Sequence, residues 1–404
     1  MSAHTTGGAA RPLIALTVGD PAGIGPETVA AALARPELRE RMALLVIGPE
    51  ALRPRTVPRL MGDAEAAPDL DAGLAGGSGP GHGAGADARA RRPLPEAAVR
   101  AARAVADVAW LATPGPTQWS LGEVQASCGA AAVAALEAGH RYALAGAVDA
   151  LVTAPVNKAA LHLAGTRVEG QTELLARWCE VTRYEMIGMA GALRVMLLTR
   201  HMPLVAAIEA AREAALPGGL LERHVALFDE ALRALVGIDR PRLAVAGLNP
   251  HAGEGGILGR DELERFAPAV ARARASGFDV AGPVSPDAVF YEALQGRYDG
   301  VLALYHDQAF IPLKLLSNGR GVTVIAGLPY LRLSPMHGTA FDIAGQGLAD
   351  PTNLIEALHR AADFVARRGG AAGLGSGGGA PGGALDGAPD SAPGGAPGGA
   401  PGSR

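Results

Sequence analysis

The feature that most constrains this chain is a regular alternation of short apolar runs with longer segments of helical periodicity. The apolar runs, which are typical of buried strands, cover residues 13–18, 43–47, 150–153, 195–199, 243–246, 300–304 and 322–325. Helical spacing of apolar residues covers 25–34, 95–111, 129–139, 218–235, 261–276 and 352–367. Such alternation predicts an α/β fold, in which helices cover a mostly parallel sheet.

Composition excludes several classes of protein. Hydrophobic residues make up 49% of the 404 residues, yet no uninterrupted apolar run is long enough to predict a membrane span. Residues 1–11 lack the basic and apolar regions of a secretory signal. The net charge of −4 argues against a general nucleic-acid binder. Two cysteines, Cys128 and Cys179, form neither a disulfide framework nor a four-thiolate zinc site, so we expect a cytoplasmic protein.

Two segments rich in Gly, Ala and Pro interrupt the alternation. The first, at about residues 64–92, is predicted to be a disordered surface insertion, and the second, residues 369–404, a disordered tail. Neither has an apolar face whose burial could offset the entropy of ordering the backbone. The sequence therefore predicts one folded α/β unit over residues 12–368, with no chemistry in either segment.

A glycine-rich turn, GDPAGIGPE at residues 19–27, follows the first predicted strand and opens a helix. Pro26 suits the first helical turn, and the glycines permit close approach of the backbone to a ligand. The stretch does not match the G-x-G-x-x-G fingerprint of a dinucleotide site. Taken alone, it fits a plain strand-to-helix turn as well as a binding loop.

Three of the ten histidines lie just beyond predicted strands: His201, His251 and His306. Ligands of open α/β sheets bind at the carboxyl ends of the strands, so these histidines could meet in one crevice. Three neutral imidazoles suit a divalent metal such as zinc, cobalt or nickel and leave positions open for substrate. The spacing matches no short metal motif, so ordinary hydrogen-bonded loop histidines remain the alternative.

Basic and polar residues near these strand ends are candidates for anion binding. Lys314 follows His306 by eight residues, and Arg332 lies in an apolar stretch after a Gly-Leu-Pro turn. Each is either a surface cation with a buried aliphatic stem or a deliberate anion contact. Two further polar clusters occupy residues 153–158 and 170–173.

Five separated motifs, in this order, resemble the 4-hydroxythreonine-4-phosphate dehydrogenase family of pyridoxal phosphate (vitamin B6) synthesis. They are LTVGDPAGIGPE at 16–27, TAPVNKAAL at 153–161, GLNPHAGEGG at 247–256, YHDQ at 305–308 with the lysine that follows, and HGTAFDIAG at 337–345. The resemblance implies a two-lobed α/β subunit like those of isocitrate and isopropylmalate dehydrogenases. It also implies a homodimer with shared active sites and a nicotinamide cofactor held without a Rossmann fingerprint.

The resemblance also assigns residues. It implies that His201, His251 and His306 hold one divalent metal (zinc, magnesium or cobalt) between two subunits, and that Thr172, Lys314 and Arg332 contact substrate. Two positions depart from the family pattern. Gln171 stands where many relatives have histidine, and Thr323 where many have asparagine. Glutamine cannot titrate near neutral pH, and threonine is shorter than asparagine and lacks its amide. Because the resemblance places both positions in contact with substrate, these departures bear on substrate choice.

The implied reaction is oxidation of a phosphorylated hydroxy amino acid by hydride transfer to NAD or NADP, followed by loss of carbon dioxide. The metal would stabilise the alkoxide, Lys314 and Arg332 would hold phosphate or carboxylate, and Asp307 would orient a ligand or relay a proton. One alternative is a paralogue that oxidises a four-carbon sugar-acid phosphate or a dihydrodiol carboxylate. Another is a non-catalytic protein that binds a metal or ligand.

Overall fold

The computed structural model of the protein describes residues 11–60 and 87–372, with side chains to residue 368. The strands are β1 (Leu13–Thr17), β2 (Ala43–Pro49), β3 (Val108–Thr113), β4 (Ala150–Thr153), β5 (Glu185–Ala190), β6 (Leu193–Leu197), β7 (Leu243–Ala246), β8 (Val280–Val284), β9 (Gly300–Ala303), β10 (Val322–Ala326) and β11 (Arg332–Pro335).

The α-helices are α1 (Gly25–Leu33), α2 (Pro36–Arg41), α3 (Glu96–Arg103), α4 (Ala126–Leu144), α5 (Lys158–Leu163), α6 (Gln171–Trp178), α7 (Leu204–Ala214), α8 (Leu220–Val236), α9 (Ala267–Ala275), α10 (Val289–Leu294), α11 (His306–Ser317) and α12 (Thr352–Ala372). A π-helical turn at Glu262–Phe266 precedes α9.

All of these strands join one sheet in the order β3-β2-β1-β4-β11-β10-β5-β6-β9-β7-β8. Pairing is parallel at both ends, and β10 is antiparallel to both β11 and β5, which in turn is antiparallel to β6. The prediction of an α/β fold with a mostly parallel sheet is therefore confirmed. The antiparallel strands in the middle divide the sheet into two parallel halves.

Both faces of the sheet are covered, which explains why the strands are continuous apolar runs. In β1, Ile14 and Leu16 belong to the core cluster that includes α1, α8 and α12. Leu13 and Ala15 point to the other face, where they belong to a second core cluster with residues of α4 and α6. In the described part of the chain, no helix combines the length and apolarity needed to cross a membrane.

Several elements differ from the sequence expectation. The predicted helix over 95–111 is wrong beyond Arg103, because Val108–Thr113 pairs with β2 as an edge strand. Helix propensity of this alanine-rich run is a weak preference that tertiary pairing overrides. The strands β5, β8 and β11 and the helix α11 were not expected, since they are short or contain Gly, Pro or charged residues that weaken the periodicity.

The predicted insertion begins outside the described residues, but its last part lies within them. Residues 87–90 form a helical turn, and Asp87 accepts a hydrogen bond of 3.0 Å from the indole N–H of Trp178. Arg89 forms an ion pair of 3.5 Å with the buried Glu137. The stretch 87–92 thus packs on the folded unit. The predicted tail, residues 369–404, includes the end of α12, and its remainder lies outside the described residues.

Candidate active site

The three candidate histidines follow three adjacent parallel strands. His201 comes after β6, His306 after β9 and His251 after β7, and these strands are neighbours in the order β6-β9-β7. Their carboxyl ends therefore lie at one edge of the sheet, as expected from the sequence.

Buried side chains tie these strand ends together. The hydroxyl of Thr199 donates a hydrogen bond of 2.7 Å to the carbonyl of Leu304, which joins the end of β6 to the end of β9. The Gln308 side chain accepts from the Leu304 N–H at 2.6 Å and donates to the Gly247 carbonyl at 2.8 Å, which joins β9 to β7. Each contact satisfies a buried polar group, so the edge is held in a fixed arrangement.

Two of the three histidines lie close together. The rings of His201 and His306 have centroids 5.6 Å apart, and His306 stacks on Phe310 at 4.5 Å. The Asp307 carboxylate lies 2.7 Å from Nδ1 of His306. A carboxylate that accepts from one ring nitrogen leaves the other, Nε2, free to bind a metal. Displacement of water by the surrounding protein, together with the charge of Lys158, lowers the pKa of His201 and favours the neutral imidazole that metals bind.

His251 begins an unusual turn. His251, Ala252 and Glu254 have φ of 52°, 50° and 43°, so this turn holds three non-glycine residues in the left-handed region. The conformation costs about 1–2 kcal/mol per residue. Buried Glu262 stabilises the start of the loop, since its carboxylate accepts from the N–H groups of Leu248 and Asn249 at 2.8 and 2.6 Å.

Within this chain, the three histidines do not form a single ligand set. Among the described residues, the only group of at least three potential ligands with atoms within 4.8 Å of one another is Glu169, Glu173 and His201. His251 is outside that group, although its strand end is on the same edge. The metal site expected from the sequence is therefore incomplete within this chain alone.

A buried guanidinium forms the second part of the site. Arg332 on β11 is only 3% exposed and donates hydrogen bonds to the Thr153 hydroxyl at 2.6 Å and to the Gln171 side-chain oxygen at 3.3 Å. Gln171 in turn donates to the Ala154 carbonyl at 3.0 Å. Desolvation lowers the pKa of Arg332 to about 10, so the group stays charged at neutral pH. Its Nε is buried and has no hydrogen-bond partner among the described residues.

Arg332 lines a cavity of about 220 Å³ that reaches His201. Gln171, Thr172 and Thr323, all predicted to contact substrate, also line it. Lys314 does not line it, because it is exposed on α11. A neighbouring cavity of about 300 Å³ contains His201, His306 and Asp307. The structure thus brings together most of the predicted site residues and separates Lys314 and His251 from them.

The sequence did not single out several charged residues that surround this cavity. Lys158 and Glu173 belong to polar clusters that were noted without a role, and Glu169 carried no signal. Glu173 pairs with Arg200 at 3.1 Å, and Arg200 pairs with Glu185 at 3.3 Å. Their common position depends on contacts between distant parts of the chain, so no local pattern could have identified them.

A second, separate cavity of about 520 Å³ lies where the first and last sequence motifs meet. The N–H of Ile24 donates to the Thr339 carbonyl at 3.0 Å, and the Glu27 carboxylate accepts from the Gly345 N–H. A Cβ at Gly23 would stand 2.9 Å from the Thr339 carbonyl oxygen, so only glycine fits there. The cavity is lined by Pro21, Gly23, Pro26, Glu27, Ala31, Leu52, Trp119, Leu121, Gly345, Gly347 and Ala349.

Comparison with known proteins gives one consistent result. Residues 85–361 match the family described as pyridoxal phosphate biosynthetic protein PdxA. The D-threonate 4-phosphate dehydrogenase of Salmonella typhimurium is 39% identical over 86% of this chain and 97% of its own. The 4-hydroxythreonine-4-phosphate dehydrogenase of Desulforapulum autotrophicum is 36% identical over 87% and 95%. The crystal structure of 4-hydroxythreonine-4-phosphate dehydrogenase from Klebsiella pneumoniae superposes with a TM-score of 0.69, at 36% identity over 88% of this chain and 99% of that one.

Proposed function

This chain belongs to the PdxA family of pyridoxal phosphate biosynthetic proteins and is a dehydrogenase, and we propose that it oxidises 4-hydroxythreonine 4-phosphate with NAD or NADP. Hydride leaves C3 of the substrate for the nicotinamide, and the C3 hydroxyl loses its proton. The product is a β-keto acid. Loss of its carboxyl group as carbon dioxide yields 3-amino-2-oxopropyl phosphate.

The observation that carries this proposal is the buried guanidinium of Arg332 in a cavity that reaches His201. A buried cation with a free donor needs an anion, and a phosphate or carboxylate satisfies it. Thr153 and Gln171 hold the guanidinium in place, so Arg332 orients the anionic end of the substrate while its reacting carbon lies toward His201. Thr172 and Thr323 are further hydrogen-bonding groups on the cavity wall.

His201, His251 and His306 would hold a divalent metal (zinc, magnesium or cobalt). Their chemistry fits, because each is an imidazole at the same sheet edge and Asp307 leaves Nε2 of His306 available. When bound, the metal supplies Lewis acidity that lowers the pKa of the substrate hydroxyl. In this arrangement Asp307 fixes the orientation of His306 and is positioned to pass a proton toward solvent.

The ligand set would be completed in a homodimer. Large apolar side chains are exposed next to each histidine segment: Leu204 and Val205 after His201, Ile257 after His251, and Ile311 and Leu315 on α11, which begins at His306. Ile257 and Leu315 are 81% and 79% exposed. Clusters of exposed apolar side chains mark association surfaces, and a two-fold dimer uses the same surface on both subunits. Lys314, next to Leu315 on α11, would then contact substrate across this interface.

The nicotinamide cofactor would occupy the cavity between the segments 19–27 and 337–347. Its glycine-rich walls leave the backbone open to close approach, and Glu27, whose Oε2 has no described partner, offers an acceptor for a ribose hydroxyl. No Rossmann fingerprint is required for such a site, which agrees with the absence of that fingerprint from the sequence.

D-Threonate 4-phosphate is a second candidate substrate, because a relative 39% identical to this chain is named for it. D-Threonate 4-phosphate, named for the Salmonella relative, differs from 4-hydroxythreonine 4-phosphate by a hydroxyl in place of the amino group at C2. Gln171, an uncharged residue where many relatives have histidine, lines the cavity beside Arg332. An uncharged side chain at position 171 is compatible with either compound.

The test is a substrate panel followed by absorbance of the reduced nicotinamide. The protein is supplied with zinc, magnesium or cobalt and with NAD or NADP, and kcat/KM is measured for both four-carbon phosphates and for a dihydrodiol carboxylate. We expect 4-hydroxythreonine 4-phosphate to give the highest value. A hundredfold preference for either of the others would overturn the assigned substrate, and no oxidation of any would overturn the proposed reaction.

A further inference from the structure

The helix that begins at Gln171 runs between the substrate cavity and the last residues of the predicted insertion. This helix, α6, has eight residues and is about 12 Å long. Its last residue, Trp178, donates an indole hydrogen bond of 3.0 Å to the carboxylate of Asp87. The same carboxylate lies 3.2 Å from Nε of Arg177. Asp87 therefore contacts the end of α6 that is farther from the cavity.

Asp87 belongs to a short segment, residues 87–92, that we call the stem. Arg89 of the stem forms an ion pair of 3.5 Å with Glu137 on α4, a side chain that is only 1% exposed. Ala90 is fully buried in the core cluster that contains residues of α4 and α6. Removing the ion-pair partner of a buried carboxylate is strongly destabilising, so the stem has a fixed position on the body of the protein.

The stem also interacts with the last turn of α6. The last carbonyls of an α-helix lack partners within the helix itself. Arg91 donates a hydrogen bond of 3.3 Å to one of them, the carbonyl of Arg177, and forms an ion pair of 2.9 Å with Glu180. A positive charge at this end also interacts favourably with the helix dipole. The stem thus holds α6 through a main-chain carbonyl as well as through Trp178.

At the start of α6, Gln171 links the helix to the substrate site. Gly170, which precedes it, has no side chain that could cap the helix. The Gln171 side chain accepts from Arg332 at 3.3 Å, which is at the long end of the hydrogen-bond range. A short helix moves as one body, so a shift of its other end by a few tenths of an ångström would break this contact. The orientation of the Arg332 guanidinium therefore depends on where α6 is fixed.

We propose that Asp87 is a positioning residue for substrate binding. By fixing Trp178 at one end of α6, it keeps Gln171 at the other end in contact with Arg332, which orients the anionic group of the substrate. Asp87 itself does not line the cavity and acts only through the helix. The inference rests on the proposed function, which assigns the anion to Arg332.

The test combines Asp87→Ala with Gln171→Ala in a double-mutant cycle. Two constants are measured: the KM for 4-hydroxythreonine 4-phosphate, and the dissociation constant of inorganic phosphate by calorimetry. Asp87→Ala should raise both about fivefold, as for loss of one hydrogen bond, while kcat and bound metal stay unchanged. In the Gln171→Ala background the same change should add less than about twofold, because the side chain through which Asp87 acts is absent.

Three further variants separate positioning from general destabilisation. Asp87→Asn keeps an oxygen that can accept from the indole and should retain most of the affinity. Trp178→Phe removes the same hydrogen bond from the other side and should raise both constants as Asp87→Ala does. Asp107→Ala breaks an exposed ion pair with Arg39 that does not involve α6, and it should change neither constant.

Unchanged constants in Asp87→Ala and Trp178→Phe would overturn the inference, and so would an equal rise in the presence and absence of Gln171. If the wild type binds phosphate but oxidises none of the offered compounds, the proposed reaction fails, and the phosphate constants still decide the inference. If the wild type binds no phosphate and oxidises nothing, the proposed function and the inference both fail.

Discussion

The buried side chain of Arg332 has its hydrogen-bond partners within this chain, whereas His251 lies apart from the other candidate metal ligands and apolar side chains of α11 are exposed. The guanidinium is 3% exposed and donates hydrogen bonds to Thr153 and Gln171 within this chain. In contrast, His251 lies outside the ligand cluster of His201, and Leu315 is 79% exposed. We call these regions the arginine wall and the histidine edge.

The difference has a physical cause. A buried charge without partners costs several kcal/mol, so the arginine wall must be satisfied as the subunit folds. His201 and His251 are exposed and His306 is half-buried, so leaving them without a further ligand costs much less than leaving a buried charge without a partner. The proposed dimer would complete the histidine edge, whereas the arginine wall has its hydrogen-bond partners within the chain.

The largest effect is expected at the histidine edge. Replacing His201 or His251 with alanine should abolish turnover and reduce bound metal to well below one per site, as measured by activity and metal analysis. If the two ligands come from different subunits, mixing and refolding the two inactive variants restores intact sites in mixed dimers. Random pairing should recover about a quarter of wild-type activity, since a symmetric dimer has two sites. No recovery would mean that the ligands come from the same subunit.

The arginine wall is expected to give the next largest effect. Arg332→Ala should lower kcat/KM by about a hundredfold or more, because the anionic end of the substrate loses a desolvated charge partner. The loss should appear mainly in KM, while metal content and dimerisation remain as in the wild type. Arg332→Lys is the matched control that keeps the charge but not the two-pronged geometry, and it should recover only part of the loss. If Arg332→Ala lost as much bound metal as the histidine variants, the two regions would not be independent.

A charged residue introduced on the exposed apolar surface tests whether the histidine edge lies at an interface between subunits. Leu315→Asp should weaken the dimer, because it places a carboxylate where we expect an apolar contact between subunits. Analytical ultracentrifugation should show monomer at micromolar concentration, with activity about tenfold lower and rising with protein concentration. Leu144→Asp, at an exposed leucine on α4, is the control. A Leu315→Asp protein that remains dimeric would place the interface elsewhere.

The smallest effect is expected at Gln171. An unperturbed histidine titrates near pH 6.5, and the adjacent guanidinium of Arg332 would lower that pKa. Below its pKa, histidine adds a positive charge beside the anionic substrate. In Gln171→His, kcat/KM should therefore rise a few-fold as pH falls through that pKa, whereas the wild type lacks this titration. Measured pH profiles that coincide for the two proteins would show that position 171 does not face a charged group of the substrate.

Local pattern predicted much of the histidine edge. Each of β6, β7 and β9 is a short apolar run, and the position of a histidine after such a run can be read directly from the sequence. The arginine wall was harder to predict from the sequence. β11 is a four-residue strand that contains Arg332, Ser334 and Pro335, so no periodicity identified it, and Glu169 and Arg200 had no motif at all.

Lys314 shows that proximity in the sequence does not by itself place two residues in the same cavity. It follows His306 by eight residues, which suggested a common site. The segment is the helix α11, however, and eight helical residues span about 12 Å. Lys314 is consequently exposed and lies outside the cavity of Arg332.

The sequence by itself determined the α/β class, most strands of the sheet, the strand-end histidines and, through its five motifs, the family. These properties depend on short segments, whose periodicity and turn residues act over a few positions. The tertiary structure alone decided that β10 and β5 separate two parallel halves, that Arg332 meets Gln171 and Thr153, and that His251 stays apart from His201. Those outcomes depend on pairing between residues up to 179 positions apart, and local preferences carry no information about which distant segments will pack together.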